Sequence, residues 1–571
     1  MAQVSGTLIT RKYENFRGID LRGGEVSLLR SPDAMNIWKD YKKEGISTRP
    51  EIELVSSYDN SIWGLFFYKV GNTEMQIVHS GTKLYRVENG IKEELFTGMM
   101  PARSNAFVYN QILYIKDGIN YLKYDGKTIG QVVGYIPTTS IGRKPAGGGS
   151  VYQDVNMLSA WRKNTFLGDG ESTIYVLDTG EIDGEAPVVL VNGNTLTPLT
   201  DYDYTLGTKD EGATIVFKVA PPKPLTDGQD NVIITFKKTV TGHADRINKC
   251  TLLSVFDNRV FFSGNQDYPN TVWHSSLNDP SYCSDLDFYN EGQDLSPVRS
   301  MVAGNNALWV FKEPSQANTT VFYHNPVIDA DYGKVYPSTH SSIATGCIGA
   351  GINFNDDIAF FSDRGMEAIN GDVTTEQVIA HRSSMVDSKL LSEANYKDMI
   401  LEEWEGYLLV IIDNKVYLAD SRAMYQNENH MEYEWFYWEL DKTITCTKVK
   451  DGVLYLGTAA GIYSLTNTSD TREVESYWTT PEDEFNYPHY QKTTNKRGCV
   501  IDMEGSEITV STKIDNNEFE VINTYMNVKG YVVSRIKKKK WKAIQLKFSS
   551  NTPFSLYSNT LEAYVGGYVK R

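Results

Sequence analysis

Val255–Ser276, VFDNRVFFSGNQDYPNTVWHSS, decides how this chain folds. Asp257-Asn258 reads as a turn, because both side chains can bond their own backbone and both tolerate left-handed dihedrals. Arg259–Ser263 is β-branched and aromatic and suits a half-buried pleated surface. From Gly264 to Asn270 the chain holds Gly, Asn, Asp and Pro, which break a strand. Val272-Trp273-His274 starts the next one. The stretch is strand, turn, strand, loop, strand.

The same pattern recurs along the chain. Gln111–Ile115 follows Tyr109-Asn110 and runs through Asp117-Gly118 into Tyr121–Tyr124. Asn305-Asn306 precedes Ala307–Phe311, and Asn355-Asp356-Asp357 precedes Ile358–Phe361. Glu405-Gly406 precedes Tyr407–Val410, and Asp451-Gly452 precedes Val453–Leu456. An early copy covers Trp63–Tyr68, Met75–His79 and Lys83–Arg86. Antiparallel hairpins repeated at roughly 45–50 residues are the mark of propeller blades, which cannot bury both faces alone and must stack. The reading is an all-β chain built on a β-propeller of about six blades.

At 571 residues the chain is long enough for two to four domains. Residues 1–50 read as an N-terminal arm, with a short helix opened by Ser31-Pro32-Asp33 and running through Trp38. Residues 51–150 hold the first blades and end in a linker, Pro137–Ser150, rich in Pro, Gly and Ser. Residues 176–238 alternate cleanly, carry the hairpin signal Asn192-Gly193, and read as an inserted β-sandwich. The remaining blades occupy 244–467, interrupted by a helix over Ser383–Met399 with Val386, Leu390, Leu391 and Ala394 at helical spacing. Residues 470–571 read as a C-terminal β domain.

Charge and chemistry narrow the function. With 72 acidic against 56 basic residues the net charge is −16, and a protein that grips duplex DNA would be basic. An acidic wall instead lets phosphate pass without sticking. The one dense basic run is Arg535–Lys540, including Lys537-Lys540, and it reads as a solvated strand edge. Cys250, Cys283, Cys347, Cys446 and Cys499 have no ligand spacing and read as free, mostly buried thiols. The start has no apolar leader and the chain has no run of eighteen apolar residues, so neither secretion nor stable membrane insertion is expected.

There is no HExxH, GxSxG or GxxxxGK[ST] pattern. Asp356-Asp357 and Glu402-Glu403 are adjacent strand carboxylates, which point to opposite faces and cannot flank one substrate bond. Ser362-Asp363-Arg364-Gly365 reads as a hairpin turn. No catalytic, cofactor-binding or metal-binding residue is assigned, no cofactor is expected, and the chain reads as a non-enzyme.

The arm carries a family resemblance. Gly23-Gly24, Leu29-Arg30-Ser31-Pro32-Asp33, Asn36, Glu44-Gly45-Ile46 and Arg49-Pro50 resemble the opening of tail nozzle (tail tubular B-like) β-propeller proteins of short-tailed bacteriophages. Phe261–Asp285, together with Lys496-Arg497 and Trp541–Phe548, is similar in style to the propeller and C-terminal regions of that family. The inserted sandwich has no match there. The resemblance implies a structural virion protein, podovirus-like, that forms a hexameric ring. Such a ring closes the distal tail channel and passes genomic DNA during ejection without binding it specifically. It implies tail adaptor or portal-side proteins and tail fibres as partners, assembly in the host cytoplasm, and a place in the virion tail. The alternatives are a host-surface, glycan-binding tail-tip propeller and a polysaccharide-cleaving enzyme.

Overall fold

The computed structural model describes residues 6–317, 319–330, 333–370, 377–427, 430–466, 473–536 and 540–568. The chain divides into two compact units. One is Met1–Phe67, Ile77–Gly81 and Ser341–Arg571; the other is Tyr68–Gln76 and Thr82–His340. Both are built from strands. Among the described residues the helices are His243–Asn248, Asp387–Leu390 and a 3-10 turn at Tyr396–Asp398.

The turn chemistry explains the many hairpins. Asp257 and Asn258 both sit at positive φ, 49° and 58°, as do Asn305-Asn306 and Asn355-Asp356. Two left-handed residues in succession make the tight turn whose twist matches paired strands. The result among the described residues is seven four-stranded antiparallel meanders. In the second unit they run Asn105–Gln131, Leu252–Asn290 and Val298–His340. In the first unit they run Gly351–His381, Ile400–Glu439 and Ile444–Thr466. Glu51–Ser57, from early in the chain, completes Ile444–Thr466, and Ile400–Glu439 continues into a larger sheet. The seventh, Ile62–Thr97, is the meander in which the chain passes from one unit to the other. An all-β chain of many small meanders is consistent with a β-propeller.

The region 138–238 in the second unit folds as two sheets around one core that includes Phe166, Tyr175, Tyr202, Phe217 and Phe236. It begins earlier than the 176–238 read from the sequence. Thr138–Arg143, expected as linker, is a strand parallel to Trp161–Phe166. Arg143 is buried there and donates to Ser140 Oγ (3.2 Å), the Gly148 carbonyl (2.7 Å) and the Val176 carbonyl (3.0 Å). Turn residues flank the segment and give it the look of a junction, but the buried guanidinium ties it into the sheet.

Two expected helices are corrected. Ser31–Trp38 forms short strands, Arg30–Ser31, Ala34–Met35 and Ile37–Trp38, with Asn36 at φ 57° between the last two. The Ser31 hydroxyl accepts from Asp33 N–H as a cap would (3.2 Å), yet it also donates to the Thr479 carbonyl (2.7 Å). Pairing with distant strands overrides the local capping signal. Over Ser383–Met399 only Asp387–Leu390 is α-helical. Val386 and Leu390 are buried as the spacing suggested, but Ala394 is exposed.

Arm and C-terminal region do not separate. Ile46–Thr48 pairs with Phe554–Tyr568, Ala34–Met35 with Ser476–Thr479, and Thr7–Tyr13 with Phe554–Tyr568. All belong to one 13-stranded sheet. Trp38 stacks on Trp404 (5.5 Å) and meets Trp438 edge-on (5.6 Å) at the centre of the core beneath it.

Candidate functional site

Several of the arm residues that carry the family resemblance, Arg30, Ser31, Asp33, Asn36 and Gly45, fasten the arm into the first unit. Arg30 grips Glu434 with a two-pronged contact, Nε to Oε2 at 2.8 Å and Nη2 to Oε1 at 2.6 Å. Arg17 adds a longer contact at 3.4 Å, and Glu434 is fully buried. The Arg30 guanidinium also lies 4.5 Å over the Tyr425 ring. Beside it, buried Glu432 accepts from Ser384 N–H (3.0 Å), the Ser384 hydroxyl, Tyr425 OH (2.9 Å) and Asn427. Burial pushes that carboxyl up, but these donors outweigh it and hold it below its ordinary value.

Asn36 is the hub of the second fastening. Its side-chain oxygen accepts from Arg49 Nε (3.0 Å) and Glu439 N–H (2.8 Å), and its amide donates to the Glu475 carbonyl (2.8 Å). The left-handed backbone at Asn36 is what aims the side chain this way. Asp33 accepts from Tyr477 OH (2.9 Å), and Tyr13 OH donates to Asp483 (2.8 Å). Gly45 passes so close to the Leu556 carbonyl that a Cβ would stand 2.2 Å from its oxygen. An open acidic cleft of about 760 Å³ adjoins this hub, with Glu51, Glu439, Asp441, Glu473 and Glu475 among its lining residues.

The carboxylates weighed for catalysis are engaged or separated. Asp357 is held by Arg382 at 2.7 and 3.1 Å and by Tyr433 OH at 2.8 Å, while Asp356 sits in an exposed turn. Glu402, raised by burial, accepts from the Thr447 hydroxyl (3.1 Å), and Glu403 is exposed. Ser362–Gly365 is the hairpin turn expected, with Arg364 N–H donating to Ser362 Oγ (3.0 Å). All five cysteines are free and buried. Arg535 and Lys540 are exposed, and Lys537–Lys539 lie outside the described residues.

The histidines stand isolated in the sequence, and two polar clusters built on them escape a linear reading. In the second unit, fully buried His324 places Nε2 2.9 Å from Glu291, and Ser338 Oγ donates to the other Glu291 oxygen at 2.5 Å. The carboxylate lies between hydroxyl and imidazole, so the serine faces Glu291 and not the histidine, and the order hydroxyl–imidazole–carboxylate of a nucleophilic triad is not made. In the first unit, His381 lies 2.6 Å from Asp387 and 3.3 Å from Glu367. Burial lowers its affinity for protons, but the two carboxylates outweigh this and raise it to about 10. Residues from different strands, a loop and a helical turn make these clusters, and linear spacing carries no signal of them. Among the described residues, no group of three or more His, Cys, Asp or Glu side chains is arranged to hold a metal ion.

The sign of the His381 effect is testable. A histidine whose folded value lies above its unfolded one stabilises fully below pH 6.5, and that contribution is lost as pH rises toward about 10. The difference in unfolding midpoint between the wild type and His381→Gln is expected to shrink from pH 6 to pH 10. A constant difference across that range would show that the protonated imidazole is not what stabilises the site.

On the solvent side, the C-terminal strands make a ribbon. Rows run across four strands, as in Lys12–Thr560–Val500–Val533 and Tyr13–Asn559–Ile501–Val532. The Glu520–Ser534 strand packs Ile522, Val528 and Val532 against the core and exposes Val521, Met526, Tyr531 and Val533.

No family model matches the chain, and no curated protein matches it. Among solved structures, BamB from Moraxella catarrhalis is similar at 10% identity, over 74% of this chain and all of that one, with a TM-score of 0.31. Hsv2 from Kluyveromyces lactis is similar at 10% identity, over 66% of this chain and 97% of that one, with a TM-score of 0.23. An exo-β-1,3-galactanase from Phanerochaete chrysosporium is similar at 8% identity, over 55% and 95%, with a TM-score of 0.20. Likenesses this distant carry no argument about function.

Proposed function

We propose that this chain is a structural, non-enzymatic ring component of a bacteriophage tail, of the nozzle type, whose ring closes the distal channel and passes DNA during ejection. In this reading the seven meanders are the blades of one β-propeller, and Glu51–Ser57 closes the last blade by pairing with Gly461–Thr466. The observation that carries it is the arm. Arg30, Ser31, Asp33, Asn36 and Gly45, among the residues that resemble the nozzle family, each meet a residue beyond position 430, and Arg49 braces Asn36. Motif residues engaged in architecture support an architectural reading. The net charge of −16 supports a channel that DNA slides past. Tail adaptor and portal-side proteins and tail fibres are the partners this role requires.

The test is the mass of the purified protein in solution, with negative-stain images of the same sample. The expected result is a closed ring of about six copies with a central hole, since identical subunits in head-to-tail contact close by rotation. A monomer that binds host glycans or host cells saturably would overturn this reading in favour of the tail-tip alternative.

A further inference from the structure

We propose that neighbouring copies of this chain join head to tail by charge, the basic run Arg535–Lys540 of one copy lying in the acidic groove beside Asn36 of the next. This deepens the ring reading and rests on it.

The groove belongs to the first unit and holds about 760 Å³. That volume falls within the roughly 300–1,000 Å³ of clefts that take a ligand. Apolar Leu440 and Val474 help to line it, and its carboxylates are Glu51, Glu439, Asp441, Glu473 and Glu475. The one cation among the lining residues is Arg49, already engaged by Asn36 (3.0 Å) and the Pro50 carbonyl (2.9 Å). Asp441 has Lys442 at 3.1 Å, but among the described residues the other four carboxylates make no ion pair. Glu51 is half-buried, and its Oε2 is buried with no hydrogen-bond donor. A carboxylate oxygen buried in this way is costly, and an ammonium or guanidinium group is the donor that suits it.

Charge and position select the occupant. Arg535–Lys540, RIKKKK, is the one dense basic run of the chain. Arg535 and Lys540 are exposed and make no ion pair among the described residues. The run is anchored on both sides, Ser534 pairing with Cys499 and Trp541 with Lys492. The strand Ile544–Ser550 separates run from groove. At its near end Ile544 bonds Asp483, and just past its far end the Asn551 carbonyl accepts from Val474 N–H (2.8 Å) in the groove wall. The seven residue steps from Ile544 to Asn551 span roughly 23 Å. A six-residue loop fixed at both ends reaches at most about 12 Å from its anchors. The groove a run can fill is therefore that of another copy. Because the end that gives and the end that receives differ, the contact is heterologous, the kind that closes into a ring when the rotation between copies closes. Charge pairs at a surface act mainly on orientation and on the rate of association, and salt weakens them.

The experiment measures the mass of the assembly for full-length variants. One reverses the run, Lys537→Glu/Lys538→Glu/Lys539→Glu/Lys540→Glu. The other reverses the groove, Glu439→Lys/Glu473→Lys/Glu475→Lys, at three exposed positions. Circular dichroism with a thermal scan verifies folding. Each variant alone is expected to associate roughly tenfold or more weakly than the wild type, since like charges then meet. An equimolar mixture is expected to restore rings of alternating copies, because each reversed end meets an opposite one. Wild-type rings are expected to loosen as salt rises from about 0.05 to 0.5 M. Variants that each form rings as the wild type does would overturn this contact and leave the ring reading standing. A mixture that stays monomeric would overturn the proposal, and recovery only in a chain carrying both reversals would place the run against its own copy. A wild type that stays monomeric at every concentration, at low salt, would overturn both readings.

Discussion

Glu434→Ala is expected to destabilise the protein by about 3–5 kcal/mol, the cost of breaking a buried ion pair and leaving its partner behind. Glu434 is fully buried and Arg30 nearly so, at 12% exposure, with two charge-assisted hydrogen bonds between them. The Coulombic gain of the intact pair only offsets its desolvation, so the pair itself contributes little net stability. The loss arises because the Arg30 guanidinium would keep its charge without the carboxylate that now accepts its two hydrogen bonds. Two consequences separate this from simple loss of packing. Glu434→Gln, nearly isosteric, is expected to cost a comparable amount, whereas removing both charges, Arg30→Met with Glu434→Leu, is expected to recover most of it. Thermal unfolding of the four proteins measures this directly. If Glu434→Gln unfolds with the wild type, the arm is not held by this pair. Limited proteolysis gives a local readout, because the loosened arm would be cut before the rest of the chain.

Gly45→Ala is expected to cost about 2–5 kcal/mol. The left-handed backbone accounts for roughly 1–2 kcal/mol of that for any residue with a Cβ, and overpacking adds about 1–3 kcal/mol. Gly45 has φ +72°, and its Cβ would stand 2.2 Å from the Leu556 carbonyl oxygen and 3.0 Å from Tyr557 Cα. Both obstacles are backbone in a paired strand, so neither can swing aside. Gly24 provides the control. It has φ +94° but nothing within 4 Å of where a methyl group would sit, so Gly24→Ala is expected to cost only the dihedral strain of about 1–2 kcal/mol. Equal losses at the two sites would mean that the close approach of the arm to Leu556 contributes nothing.

These two residues also show where a local motif and a distant partner divide the work. Arg30, Asn36 and Gly45 stand out in the sequence, but their partners Glu434, Glu439 and Leu556 lie hundreds of positions away. Spacing cannot encode such pairs.

By itself the sequence determined the all-β class, the hairpins and their turns. Those depend on neighbours: Asp257-Asn258 turns because of its own side chains and its own dihedrals, and Arg259–Ser263 pairs with the strand just before it. It also determined that the cysteines would be buried free thiols. Tertiary structure alone decided the rest. Ser31–Trp38 carries the marks of a helix start, yet strand pairing with Tyr477 and Trp478, and the Asn36 hub, hold it extended. Thr138–Arg143 carries the marks of a linker, yet a buried guanidinium and a parallel neighbour make it a strand. Local propensities are worth tenths of a kcal/mol per residue, up to about 1. A burial or a ladder that joins residues hundreds apart sums many such terms, and it wins wherever the two disagree.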